Sequence, residues 1–161
     1  MNFEATNELL EAIKPYTKNA TVTISSENDD YKGASFDLVT VDKNHEFCFE
    51  VFEDEIIVFF ITDHYHFEDY SSEYDDESNN YIKRATTFLL ELLQNKVKHV
   101  KIFKGKNLAS EKYFMLYSDN TKEKIGGIWW GLVRVLNPFA KRTEEAVTYK
   151  FNTEKGIFDE I

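Results

Sequence analysis

A chain of 161 residues with 42% hydrophobic residues, 16% aromatics and only eight Gly or Pro is long enough to bury a core. It is too apolar for a disordered or low-complexity polymer. The formal net charge of −10 repels phosphate backbones and excludes direct nucleic-acid binding as the expectation, while it steers basic partners inward. The longest strictly apolar run, Ile56 to Ile61, falls far short of a membrane span.

The first residues lack the basic and apolar regions of a secretory leader, so a cytoplasmic protein is expected. The lone Cys48 rules out an internal disulfide and fits a reducing compartment.

In chain order, Ala5, Leu9, Leu10 and Ile13 recur at helical spacing after a cap at Asn2 or Thr6, and Pro15 is expected to end or kink that helix. Alternation predicts strands at Ala20 to Ser25 and Ser35 to Val41, separated by the polar loop SSENDDYKG. Phe47, Phe49 and Val51 share one face of the next strand. Glu53-Asp54 turns the chain, and Glu55 to Thr62 returns apolar on both sides, a hairpin expected at the centre of the sheet.

The strongest helix is predicted to begin near Asp76 or Ser78. Tyr81, Ile82, Ala85, Phe88, Leu89, Leu92 and Leu93 form its apolar stripe, with Asp75, Asp76 and Glu77 at the positive end of the dipole and Lys96 and Lys98 at the negative end. Further strands are expected at His99 to Lys104, Glu111 to Ser118 and Ala146 to Asn152.

The stretch IGGIWWGLVRVLNPF fits both a helical stripe and a strand bent by its glycines. Burial of Trp129 and Trp130 is the commoner arrangement; exposure would make a protein-binding or membrane-associating patch. With no βαβ alternation, the pattern is α+β, a mostly antiparallel sheet with two main helices packed on it, in a single domain spanning 1–161.

The chemistry concentrates in one place. Between Asn44 and Ile82 there are twelve Asp or Glu and no Lys or Arg, against 17 acids and 19 bases elsewhere. Within it, His64 and His66 in TDHYHFEDY would project from one face of a strand and could grip a metal, with Glu68 near and His45 or His99 as distant candidates. The His-x-His-x-Glu order resembles the cupin metal motif, but the glycines and the later histidine motif of cupins are missing. The alternative of a metal-dependent enzyme using this pair therefore lacks a complete ligand set. No nucleophile elbow or phosphate loop occurs, and Cys48, between Phe47 and Phe49, reads as a packed residue. No catalytic residue, metal or cofactor is assigned.

From Asp63 to Glu77 seven carboxylates surround Tyr65, Tyr70 and Tyr74. Tyrosine offers contact area at low entropic cost, and carboxylates orient a cationic partner. The plain alternative is a solvated strand end with helix-capping acids. The candidate partner-binding residues are Asp63, His64, Tyr65, His66, Glu68, Asp69, Tyr70, Glu73, Tyr74, Asp75 and Asp76, with Trp129 and Trp130 as an alternative interface.

The segment EDEIIVFFITDHYHFEDY, in a small, acidic, aromatic-rich α+β chain, resembles bacterial immunity proteins of contact-dependent inhibition and polymorphic toxin systems. The resemblance implies a cognate basic toxin domain, a nuclease by expectation, as the partner, neutralised by binding. An acidic nucleic-acid mimic would meet the same partner, but should carry its charge in strips along the whole molecule.

Overall fold

A computed structural model describes residues 3–19, 21–26, 34–39, 47–52, 54–68, 80–131 and 139–161. Helix α1 (Phe3–Ile13) precedes strands β1 (Thr21–Ser26), β2 (Ala34–Val39), β3 (Phe47–Val51), β4 (Glu55–Phe60) and β5 (Asp63–Glu68). Helix α2 (Tyr81–Gln94) follows, then β6 (Lys96–Lys104), β7 (Asn107–Leu116), β8 (Lys122–Gly126), β9 (Arg142–Asn152) and β10 (Ile157–Glu160). The fold is α+β and antiparallel, and its strands form two five-stranded sheets, where the sequence pattern suggested one. The first is the meander β1-β2-β3-β4-β5 and the second has the order β10-β9-β6-β7-β8. Although the sequence carries no linker and reads as one domain, the chain divides into two compact units. They are Met1–Leu93 with Asn152–Ile157, and Gln94–Phe151 with Phe158–Ile161.

In the first unit, the predicted hairpin is central: β3 is the middle strand and pairs with β4 from Phe47↔Phe60 to Val51↔Ile56. Alternation sends Phe47, Phe49, Val51, Ile56, Val58 and Phe60 to the buried face, because successive side chains on a strand point to opposite sides. Helix α1 buries Ala5, Leu9 and Ile13. It stops at Ile13, two residues before Pro15, which has no N–H to continue the ladder; Tyr16 and Thr17 donate their N–H groups to the Ile13 carbonyl at 2.9 and 3.1 Å. Thr6 lies inside this helix and not at its cap.

Helix α2 buries Tyr81, Ala85, Leu89, Leu92 and Leu93 of the predicted stripe, while Ile82 and Phe88 are half-buried. Its cap is Asn80, whose Oδ1 accepts from the N–H groups of Ile82 and Lys83 at 2.9 and 3.2 Å. The start thus falls later than Asp76 or Ser78: a cap works from the position just before the first stripe residue, and that residue is Tyr81. Asp75, Asp76 and Glu77 lie outside the described residues. Lys96 and Lys98 do not close the helix, since both stand on β6.

The second unit buries Val97, His99, Tyr113, Met115, Tyr149 and Phe151 on one side of its sheet. Strands β8 and β10 were not anticipated, since KEKIG and IFDE are too short and polar for periodicity to register. Gly126 ends β8, and residues 128–130 then run along β7: Glu111 donates to the Ile128 carbonyl at 2.8 Å, Trp130 donates to the Ala109 carbonyl at 3.0 Å, and Trp129 bridges to Ser110. Residues 125–131 are therefore neither one helix nor one strand; 132–138 lie outside the described residues. The expected burial of the tryptophans does not occur, as Trp129 is 65% and Trp130 37% exposed. Backbone pairing ties this segment to β7, and the Trp129 indole folds back over Gly131, whose absent Cβ would lie 3.0 Å from it.

Candidate partner-binding surface

Among the described residues strand β5 is the edge of the first sheet, and its six residues alternate between half-buried and exposed. Its inner row is Asp63, Tyr65 and Phe67, opposite Phe60, Val58 and Ile56 of β4. Tyr65 and Phe67 pack on Phe88 of α2, with ring centroids 4.5 and 5.6 Å apart. The Arg84 guanidinium of the same helix donates to the Glu68 carbonyl at 2.6 Å. The helix thereby holds the edge strand from within, and the period of two leaves His64, His66 and Glu68 on the solvent side.

That outer row faces Phe59, Ile57 and Glu55 of β4 in register. The His66 Nδ1 meets the Glu55 carboxylate diagonally across the strands. The His64 and His66 rings stand edge to face at 5.0 Å, and the Phe59 ring lies 6.1 Å from His64. Next to them Cys48 and Glu50 of β3 oppose Phe59 and Ile57. The result is a sheet face with an aromatic and imidazole centre and carboxylates at Glu50, Glu55 and Glu68. A basic partner with apolar contacts fits such a face, because the carboxylates orient it while rings supply area to desolvate.

One backbone feature sets the start of the strand. Ile61 in the two-residue turn between β4 and β5 has φ of 61°, a left-handed conformation that a β-branched residue rarely adopts. Strain of this kind gathers at ligand-facing segments.

The predicted set is thus divided. His64, His66 and Glu68 share the exposed row. Tyr65 does not face outward: one step along the strand turns it to α2, where burial against Phe88 outweighs exposure. Asp63 also takes the inner row, its Oδ1 accepting from the His64 N–H at 3.0 Å. Asp69, Tyr70, Glu73, Tyr74, Asp75 and Asp76 lie outside the described residues. Glu55, Ile57 and Phe59 were missed, although continuing the alternation of β4 and pairing it across the turn would have placed them beside the histidines.

The third metal ligand is not supplied by the described residues, among which no group of three His, Cys, Asp or Glu side chains converges. His45 lies outside them. His99 is committed elsewhere in the second unit: only 2% exposed, its Nε2 sits 3.3 Å from the Glu111 carboxylate, itself 5% exposed, and its ring stacks on Tyr113 at 4.4 Å. Sequence spacing gave no sign of this buried pair, because His99 and Glu111 meet only through the β6–β7 register. Gly127 guards it. Its φ is 146°, and a Cβ there would fall 2.3 Å from the Glu111 carbonyl oxygen.

Charge follows the two units. The first carries 22 Asp or Glu against seven Lys or Arg, and the second twelve Lys or Arg against seven Asp or Glu. No helix among the described residues is long and apolar enough to cross a membrane. Comparison with protein-family models, curated proteins and solved structures gives no match.

Proposed function

We propose that this chain is an immunity-type protein that neutralises a basic toxin domain, a nuclease by charge, through stoichiometric binding at the outer face of β4 and β5 and the acidic run that follows. The observation that carries the reading is the edge strand itself. Its exposed row His64, His66 and Glu68 lies beside half-buried Phe59 and Ile57 and leads directly into the segment richest in carboxylates and tyrosines.

A nucleic-acid mimic is supported less well, since its carboxylates should not be confined to one unit while the other carries excess base. The test is titration of this protein against the basic toxin domain encoded beside its gene, with toxin activity as the readout. Inhibition should reach completion at a fixed molar ratio. Full inhibition at a small fraction of that ratio would mean turnover, and no inhibition at any ratio would remove the toxin-binding role.

A further inference from the structure

On the outer side of the second sheet, the register gathers lysines. Lys96 pairs with Lys150 across β6 and β9, Lys98 stands beside Phe114, and Lys112, Lys122 and Lys124 occupy the same side of β7 and β8. Lys122 lies over the Phe114 ring, 3.8 Å from its centroid. Among the described residues no carboxylate comes within ion-pair distance of Lys96, Lys98, Lys112, Lys124 or Lys150. Like charges directly opposite each other on neighbouring strands oppose folding, so the Lys96↔Lys150 pair has no structural explanation within the sheet.

This pair opens onto a cleft of about 380 Å³ between the end of the sheet and the β7–β8 turn. Its lining includes Lys96, Lys150, Asn95, Leu116, Ser118 and Asn120, with no carboxylate among the lining residues. Asp119, in the same turn, is tied back: its Oδ1 accepts from the Thr121 N–H and hydroxyl at 2.8 and 2.6 Å. Asn120 holds a left-handed conformation with φ of 66°, and its N–H donates to the Tyr117 carbonyl at 3.1 Å. With two lysines, a serine, a threonine and asparagines among its lining residues, the recess is rich in donor groups, and the remaining lysines of the face add to its positive field.

We propose that this cleft binds a small, multiply charged phosphate-bearing anion, with Lys96 and Lys150 as its paired charge contacts and Ser118 and Asn120 as hydrogen-bonding groups. The ligand removes the repulsion between the two lysines. A nucleic-acid strand fits the face less well: the ring of Phe114 is covered by Lys122, so no base can stack there, and the acidic first unit repels a long polyanion. The cleft belongs to the second unit and β5 to the first, and the two proposals rest on different residues.

Calorimetric titration of the full chain with tripolyphosphate at low salt should show saturable binding of one ligand per chain. Lys96→Gln and Lys150→Gln should each weaken it at least tenfold, and Lys112→Gln, on the same face but outside the cleft, less than twofold. Lys96 and Lys150 are exposed and Lys112 is half-buried, and circular dichroism verifies that each variant is folded; Lys96→Gln should also raise the melting temperature in the absence of ligand. Absence of saturable binding overturns the site. A loss with Lys112→Gln equal to that with Lys96→Gln, or an eight-residue oligothymidylate binding more tightly than tripolyphosphate, overturns it in favour of a diffuse nucleic-acid face.

Discussion

At Gly127, Ile61 and Asp119 single residues decide local geometry. A side chain at Gly127 would collide with the Glu111 backbone at 2.3 Å in a conformation of φ 146°. Gly127→Ala is therefore expected to destabilise the fold by about 2 kcal/mol, combining strain and displaced backbone, measured by urea denaturation. Ile61→Gly has the opposite sign. It removes a left-handed β-branched residue and should stabilise by about 0.5–1 kcal/mol after the extra chain entropy of glycine is subtracted. A lower urea midpoint for this variant would show that Ile61 packing outweighs its strain.

Asp119 titrates below the ordinary carboxylate value of 3.8, first because the Thr121 hydroxyl hydrogen-bonds it and second because the Thr121 N–H does. Its folded value being the lower one, its contribution to the turn is present above pH about 4 and is lost as pH falls through the depressed value. Carbon-detected NMR titration of the Asp119 carboxyl should show the midpoint below 3.8, and Thr121→Val should move it upward. Of these three residues, Asp119 sits in a turn legible from SDNT, whereas the demands on Ile61 and Gly127 come from strand register and from a neighbouring strand, neither of which local spacing encodes.

At the scale of elements, β5 has two faces with two tasks. Its inner face needs Phe88: removing that ring by Phe88→Ala strips the contacts of Tyr65 and Phe67 and should cost about 2 kcal/mol, less than for a fully buried phenylalanine, read from thermal unfolding. Its outer face is the proposed partner surface. Reversing charge at Glu55 and Glu68, which oppose each other in register, should slow association with the basic toxin domain and flatten its salt dependence. Stopped-flow association at low and high salt measures this, with circular dichroism verifying the fold. Unchanged rates would move the interface away from β5, toward Trp129 and Trp130, both of which are exposed.

The alternation of TDHYHFE was readable, and it correctly groups His64, His66 and Glu68. Which of the two rows meets solvent was not readable, because both contain aromatic or imidazole rings. Docking of α2 on Tyr65 and Phe67 resolves it, through a contact between residues more than twenty positions apart.

At the scale of the whole molecule, a net charge of −10 conceals two units of opposite character, one rich in carboxylates and one in lysine and arginine. The proposed basic partner and the proposed phosphate-bearing anion are thus assigned to different units, and raising ionic strength should weaken both associations. Composition, apolar stripes and alternation alone determined that the chain is α+β, that α1 ends at Pro15's turn, that α2 carries the stripe from Tyr81, and that the β3–β4 hairpin is central. These are properties of neighbours along the chain, where periods of 3.6 and 2 are imposed by backbone geometry. Tertiary structure alone decided the division into two sheets, the burial of His99 on Glu111, the inward turn of Tyr65 and the alignment of Lys96 with Lys150. Each depends on which strands pair and in what register, and pairing is settled by burial summed over distant segments, a quantity that no local window contains.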